Sequence, residues 1–207
     1  MAPSHPFTLT DWRRTIFALY ADIRNCPYDH RRASWDKFRN IRDQLFAQHP
    51  QTPLNAEQKR QFTGLNYFDY DDDYVVLGKV DFGIERETLT TELDVDGQFD
   101  YTRIGLIDFQ LKRRRHQLNL YWINGYGGAL YLPFGDLTNA NHTYGGGRYL
   151  YDAIKGADLG TVGEEIVLDF NFAYNPSCAY NDLWSCPLPP AENKLNVEIL
   201  AGEKALG

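Results

Sequence analysis

Apolar positions in the first sixty residues recur at the helical period. Trp12, Ile16, Leu19, Tyr20 and Ile23 share one face of a helix that Thr8 or Thr10 can cap and Pro27 ends. A second helix places Trp35, Phe38, Ile41, Leu45 and Phe46 on its apolar face, with Ser34 as N-cap. Arg31, Arg32, Lys37, Arg39 and Arg42 are assigned to its polar face. His49-Pro50 stops it, because the residue before a proline avoids the α region. Asn55, with Gln58 three residues on, predicts a cap for one further short turn.

From about Tyr74 the period becomes two. Leu89, Thr91, Leu93 and Val95 alternate with Thr90, Glu92 and Asp94, and Asp96-Gly97 signals a hairpin. Phe99 to Leu111 continues as a strand whose phase blurs at Ile104-Gly105-Leu106-Ile107, which predicts a bulge at Gly105. Leu118, Leu120 and Trp122 alternate in the next strand. Asn124-Gly125 turns it, and Ala129 to Phe134 returns. Ile166 to Phe170 and the set Leu195, Val197, Ile199 read as further strands. The expected fold is α+β and mostly β: an antiparallel barrel or sandwich over residues 73–204, preceded by a helical extension over residues 8–62. No flexible linker interrupts the chain, so residues 1–207 are expected to form a single domain.

Composition sharpens this picture. Fourteen Tyr, twelve Phe and four Trp supply large buried areas, and Tyr and Trp add polar tips. That mix suits a β domain or a ring-lined pocket. The net charge of -7 disfavours nucleic acid as a partner, since phosphate binding needs a basic face. The basic run Lys112-Arg113-Arg114-Arg115-His116 reads as a solvated turn between strands, with a phosphate site as the sharper alternative. No apolar stretch approaches the ~20 residues that span a bilayer. With no signal-like N-terminus, the expected location is the cytosol. Three cysteines make no disulfide scaffold. The oligomeric state stays open.

Candidate chemistry gathers in the irregular segment from Leu132 to Lys204. Gly145-Gly146-Gly147 before Arg148 could turn backbone N–H groups toward an anion, or could form a tight backbone passage. Arg148 could grip a carboxylate or phosphate through its fork, or form an internal ion pair with Asp136, Asp152 or Asp169. Asp169 interrupts an apolar run, so its side chain needs a partner, and Arg148 is the expected one. Cys178 and Cys186 could be buried thiols, a loop disulfide or, less favoured for want of further ligands, a metal pair. Asp69 to Asp73 lacks the Gly and Glu of a calcium loop and reads as a turn. No motif requires a metal or a cofactor.

Longer words carry a resemblance. Tyr144-Gly145-Gly146-Gly147-Arg148-Tyr149, Leu168-Asp169-Phe170-Asn171, Tyr174-Asn175-Pro176-Ser177-Cys178-Ala179-Tyr180 and Cys186-Pro187-Leu188-Pro189 followed by Glu192-Asn193 resemble a bacterial and archaeal family. That family is the domain of unknown function numbered 1684. In the first half, Trp35, Arg39, Arg42-Asp43, Leu45-Phe46, His49-Pro50, Pro53-Leu54 and Gly64-Leu65 with Tyr67-Phe68 fit too. The resemblance implies that the chain is one β-rich unit, and it carries no reaction, cofactor or partner.

Three functions follow. The first is a small-molecule binding domain for an anionic ligand, using Tyr144, Gly146, Arg148, Tyr149, Asp169, Asn171, Asn175 and Tyr180. The second is purely structural, the C-terminal segment locking itself onto the sheet. The third is a hydrolase-like acid–base enzyme built on Asp169, Tyr144, Cys178 and His142, which requires those four to converge.

Overall fold

The computed structural model describes residues 5–93 and 97–206. Helix α1 spans Pro6–Asn25, α2 spans Arg31–Gln48 and α3 spans Ala56–Gln61. The strands are β1 (Val75–Asp81), β2 (Glu87–Leu93), β3 (Gly97–Leu111), β4 (Arg114–Ile123), β5 (Ala129–Phe134), β6 (Arg148–Asp152), β7 (Thr161–Val162) and β8 (Glu165–Asp169). Among the described residues they form one antiparallel sheet in the order β6-β5-β4-β3-β1-β8-β7, with β2 paired to β3. The sheet curls into a half-barrel. This helix-preceded, mostly antiparallel sheet is the α+β fold class expected, in its half-barrel form.

Local chemistry explains most boundaries. Asn55 and Gln58 make a complete capping box on α3. The register shifts between Arg103 and Gly105, which is the bulge the blurred phase announced. A Cβ on Gly105 would sit 2.6 Å from Val80 Cγ1, so glycine also admits the neighbouring strand. Lys112 and Arg113 form the β3–β4 turn with φ of 47° and 63°, and the rest of the basic run, Arg114, Arg115 and His116, begins β4. Of the predicted hairpin at Asp96-Gly97, Asp94, Val95 and Asp96 lie outside the described residues.

Several local expectations are corrected. Helix α1 begins at Pro6 with His5 as its cap, because proline suits the first helical turn; Thr8 and Thr10 lie inside it. Helix α2 begins at Arg31, directly after a 3-10 turn, so Ser34 is interior. Arg42 is not on the polar face. It shares the buried stripe of Trp35, Phe38 and Leu45 and is only 6% exposed. The segment Leu195–Ile199 is no strand. It makes single backbone contacts to the loop after β5, such as Leu137 N–H to Val197 O at 3.1 Å.

One apolar cluster joins Ile16, Leu19 and Ile23 of α1 with Trp35 and Phe38 of α2. It continues through Ile107, Leu118, Leu132, Leu150 and Leu168 of the sheet to Ile199. Each fully buried side chain of this kind contributes about 1.5–3 kcal/mol. A second cluster is rich in tyrosine: Tyr101, Tyr121, Ile123, Tyr131 and Tyr149, with edge-on ring pairs such as Tyr131–Tyr149 at 5.2 Å. Among the described residues no helix is long and apolar enough to cross a membrane.

Candidate functional site

Arg148 opens β6 and is fully buried. Its partner is Asp136, at 2.9 Å, not Asp169. Its Nη1 donates to the carbonyls of Ala201 (2.5 Å) and Glu203 (3.3 Å), and Nη2 donates to Ile199 O (3.0 Å) as well. Phe134 lies under the guanidinium. Asp136 is occupied too: Oδ1 accepts from Thr138 N, Thr138 Oγ1 and Ile199 N. The pair therefore ties the C-terminal segment to β5 and β6 from inside. Burial depresses the Arg148 pKa, against the pull of Asp136.

The glycine run serves backbone geometry. Gly147 has φ of 84°, and a Cβ there would lie 2.7 Å from Phe134 O. Its N–H donates to Tyr144 O at 3.0 Å and so is spent inside the loop. Gly146 packs against the Tyr144 ring, where a Cβ would approach to 2.4 Å.

Asp169 ends β8 and is also fully buried. It accepts from Arg31 Nη1 at 3.1 Å and from the amide and side chain of Asn171. Asn171 in turn bridges both backbone groups of Asp71. Burial pushes the Asp169 carboxyl above the usual carboxylate range, against these bonds. Asn193 makes a third such node, taking Asn119 N–H and donating to the carbonyls of Asn119 and Pro133.

A cavity of about 360 Å³ lies between α1, the end of α2 and the loops that follow Ala173. Rings of Trp12, Tyr20, Phe46, Tyr149, Tyr174, Tyr180 and Trp184 line it. Arg42 forms part of its wall, with Nε on Tyr67 Oη (2.8 Å) and Nη2 on Glu203 Oε2 (2.7 Å). Glu203 further accepts from Asn175 N–H and the Tyr180 hydroxyl. Burial disfavours the Arg42 charge, but Tyr67 and Glu203 raise its pKa well above the ordinary value.

Three other wall residues carry buried polar atoms without a hydrogen-bond partner: Tyr20 Oη, Asp152 Oδ1 and Asn175 Oδ1. The Asn175 orientation is fixed, since its Nδ2 donates to Lys204 O at 2.8 Å. Asp152 Oδ2 meets Lys155 Nζ at 3.4 Å. The charges of Asp152 and Arg42 both bear on the Tyr20 and Tyr174 hydroxyls. Burial pushes the pKa of each of those tyrosines up.

Cys186 lines the cavity and Cys178 stands beside it, both free thiols. Cys186 Sγ accepts the Cys178 amide at 3.3 Å, and the Tyr144 hydroxyl donates to Cys178 Sγ at 3.7 Å. Pro187, next in sequence, has its carbonyl held by the Tyr131 and Tyr149 hydroxyls at 2.8 and 2.5 Å.

The expected catalytic quartet does not converge. Tyr144 and Cys178 touch. Asp169 is engaged with Arg31 and Asn171, and the His142 ring lies against Phe68. Of the expected ligand residues, Tyr149, Asn175 and Tyr180 line the cavity, whereas Tyr144, Gly146, Arg148, Asp169 and Asn171 do not. Sequence reasoning missed Trp12, Tyr20, Arg42, Asp152 and Glu203 as site residues. Two of them were within reach. Tyr20 is a polar tip on an apolar stripe, and Arg42 follows Trp35 and Phe38 at helical spacing. Among the described residues no group of three or more His, Cys, Asp or Glu could hold a metal ion.

Comparison with known proteins agrees with this architecture. No curated protein matches the chain. A solved structure that does match is the solution NMR structure of an uncharacterised protein from Haloarcula marismortui. The two share 36% identity over 83% of this chain and 92% of that one, with a TM-score of 0.61. The pattern of the family described as "Protein of unknown function (DUF1684)" matches residues 60–204, and the chain belongs to that family.

Proposed function

We propose that the protein binds a small molecule in the ring-lined cavity. The observation that carries this reading is the combination of aromatic walls with unmet polar capacity at Tyr20, Asp152 and Asn175. Pockets for small molecules are mostly apolar and hold a few convergent polar groups. A buried polar atom without a partner costs about 1–3 kcal/mol, so a protein that retains three in one wall has a use for them. Asn175 Oδ1 and an ionised Asp152 Oδ1 can only accept, so the ligand must bring hydroxyl or amino donors. Arg13 adds positive charge to the same wall, which suits a ligand that also carries an acidic group. The class is thus a compact hydroxy or amino acid, with the anionic group met by Arg13 and not by Arg148.

A thermal-shift screen of small hydroxy acids, amino acids, polyols and amines tests this. A ligand at a hundred times its Kd stabilises the fold by about 2.7 kcal/mol, which a melting curve detects. The expected result is a shift by donor-bearing acids that Tyr20→Phe and Asp152→Asn each weaken. Equal shifts in wild type and both variants would remove this cavity as the binding site.

A further inference from the structure

Cys178 and Cys186 are not explained by ligand binding, and their arrangement is specific. Cys178 lies in the 3-10 turn Ser177–Ala179, and Cys186 lies in the loop that precedes Pro187. One contact joins them: the Cys178 amide donates to Cys186 Sγ at 3.3 Å. A second contact, from the Tyr144 hydroxyl, reaches Cys178 Sγ. Both sulfur residues are half-buried, so a small reagent can reach them from solvent. The third cysteine, Cys26, stands apart on the end of α1, its thiol donating to Pro27 O.

We propose that Cys178 and Cys186 form a thiol–disulfide exchange site, with Cys178 as the attacking sulfur, Cys186 as the resolving sulfur and small disulfides as the co-reactant. The assignment of roles follows from the Tyr144 hydroxyl, a side-chain donor that only Cys178 receives. The neighbouring Cys186 thiol, the Tyr144 hydroxyl and the charge of Lys155 hold the Cys178 pKa down at about 6, against burial. Cys186 is pushed the other way, first by the neighbouring Cys178 sulfur and then by burial. Tyr144 is pushed up to about 12 by burial, with Cys178, Cys186 and Asp182 adding to the rise, and stays a donor.

The two steps balance. The Cys178 thiolate attacks one sulfur of the small disulfide; a Cys178 mixed disulfide forms, the reagent's S–S bond breaks, and one thiolate leaves with the electron pair. Cys178 is then uncharged, so the main cause of the raised Cys186 pKa is gone. Cys186 loses its proton to solvent and attacks Cys178 Sγ, expelling the second thiolate. The protein dithiol is oxidised by two electrons and the reagent is reduced to two thiols.

The test uses the full chain in a Cys26→Ser background with glutathione disulfide. Peptide mapping should find an internal Cys178–Cys186 link that dithiothreitol reverses. Cys186→Ser should instead accumulate glutathione on Cys178. Cys178→Ser should react roughly severalfold more slowly, since the remaining thiol, Cys186, lacks the Tyr144 donor. Iodoacetamide alkylation of Cys178 should be half-maximal near pH 6, and Tyr144→Phe should move that midpoint upward. Glutathione on both cysteines without an internal link would overturn the proposal. So would a Cys178 alkylation midpoint at the ordinary thiol value of about 8.5. Mapping of the parent protein reads the link even if a variant fails to fold.

Discussion

Two regions of the molecule are built from the same residue types and differ in how their polar groups are met. Around Arg148 all but its own Nε are matched: Asp136, three backbone carbonyls and the Thr138 side chain close on one another. Asp169 with Arg31 and Asn171, and Asn193 with Asn119 and Pro133, repeat the pattern. Around the cavity, Tyr20, Asp152 and Asn175 each keep one buried atom without a partner. A matched network holds structure, and an unmatched one is available to something else. The difference teaches that charge and residue type do not mark a site; leftover hydrogen-bonding capacity beside an opening does.

The comparison can be broken most sharply at Arg148. Arg148→Met should lower the unfolding free energy by about 3–5 kcal/mol in denaturant titrations, because Asp136 is left buried and unpaired. A loss under about 1 kcal/mol would erase the distinction between lock and cavity. Next comes Asn193→Ala, which deprives Asn119 of bonds to both backbone groups and Pro133 of one. A loss on the order of 3 kcal/mol is expected by the same assay.

On the cavity side the expected effects on stability are small. Tyr20→Phe removes an unpartnered hydroxyl and keeps the ring, so stability should change by about 0.5 kcal/mol or less. Its ligand-induced shift should nonetheless fall. A large stability loss would show that Tyr20 belongs to the lock.

The smallest effect concerns pH at Asp169. Its carboxyl is raised in the folded state by burial, so the fold holds that proton more tightly than the unfolded chain does. Its contribution is therefore fully present below the unfolded value of about 3.9 and is lost as pH rises through the folded value. Asp169→Asn cannot titrate. The free-energy gap between wild type and Asp169→Asn should accordingly shrink as pH is raised from 4 toward neutrality; a gap that widens would reverse the sign.

Much of the fold was legible locally. The α3 capping box, the bulge at Gly105, the Asn124-Gly125 turn and the return from Ala129 to Phe134 were all readable as short-range patterns. The segment Leu195–Ile199 shows the limit. Its alternation is real, yet among the described residues no strand pairs with it, and the Ile199 carbonyl is drawn inward to Arg148 instead. The candidate site was legible only in part: Tyr149, Asn175 and Tyr180 line the cavity, but a third of its wall comes from α1 and α2, far away in sequence.

By itself the sequence determined the helices and the hairpins, because those depend on backbone angles and on periods of a few residues. Only the tertiary structure decided which charges pair. Asp169 takes Arg31, across 138 residues, and Arg148 takes Asp136. Arg42 joins Glu203 across 161 residues, on a buried face that its charge argued against. A carboxylate attracts any nearby cation equally well in the sequence. Which cation is near, and which polar atoms are left over, depends on how the helices close over the sheet.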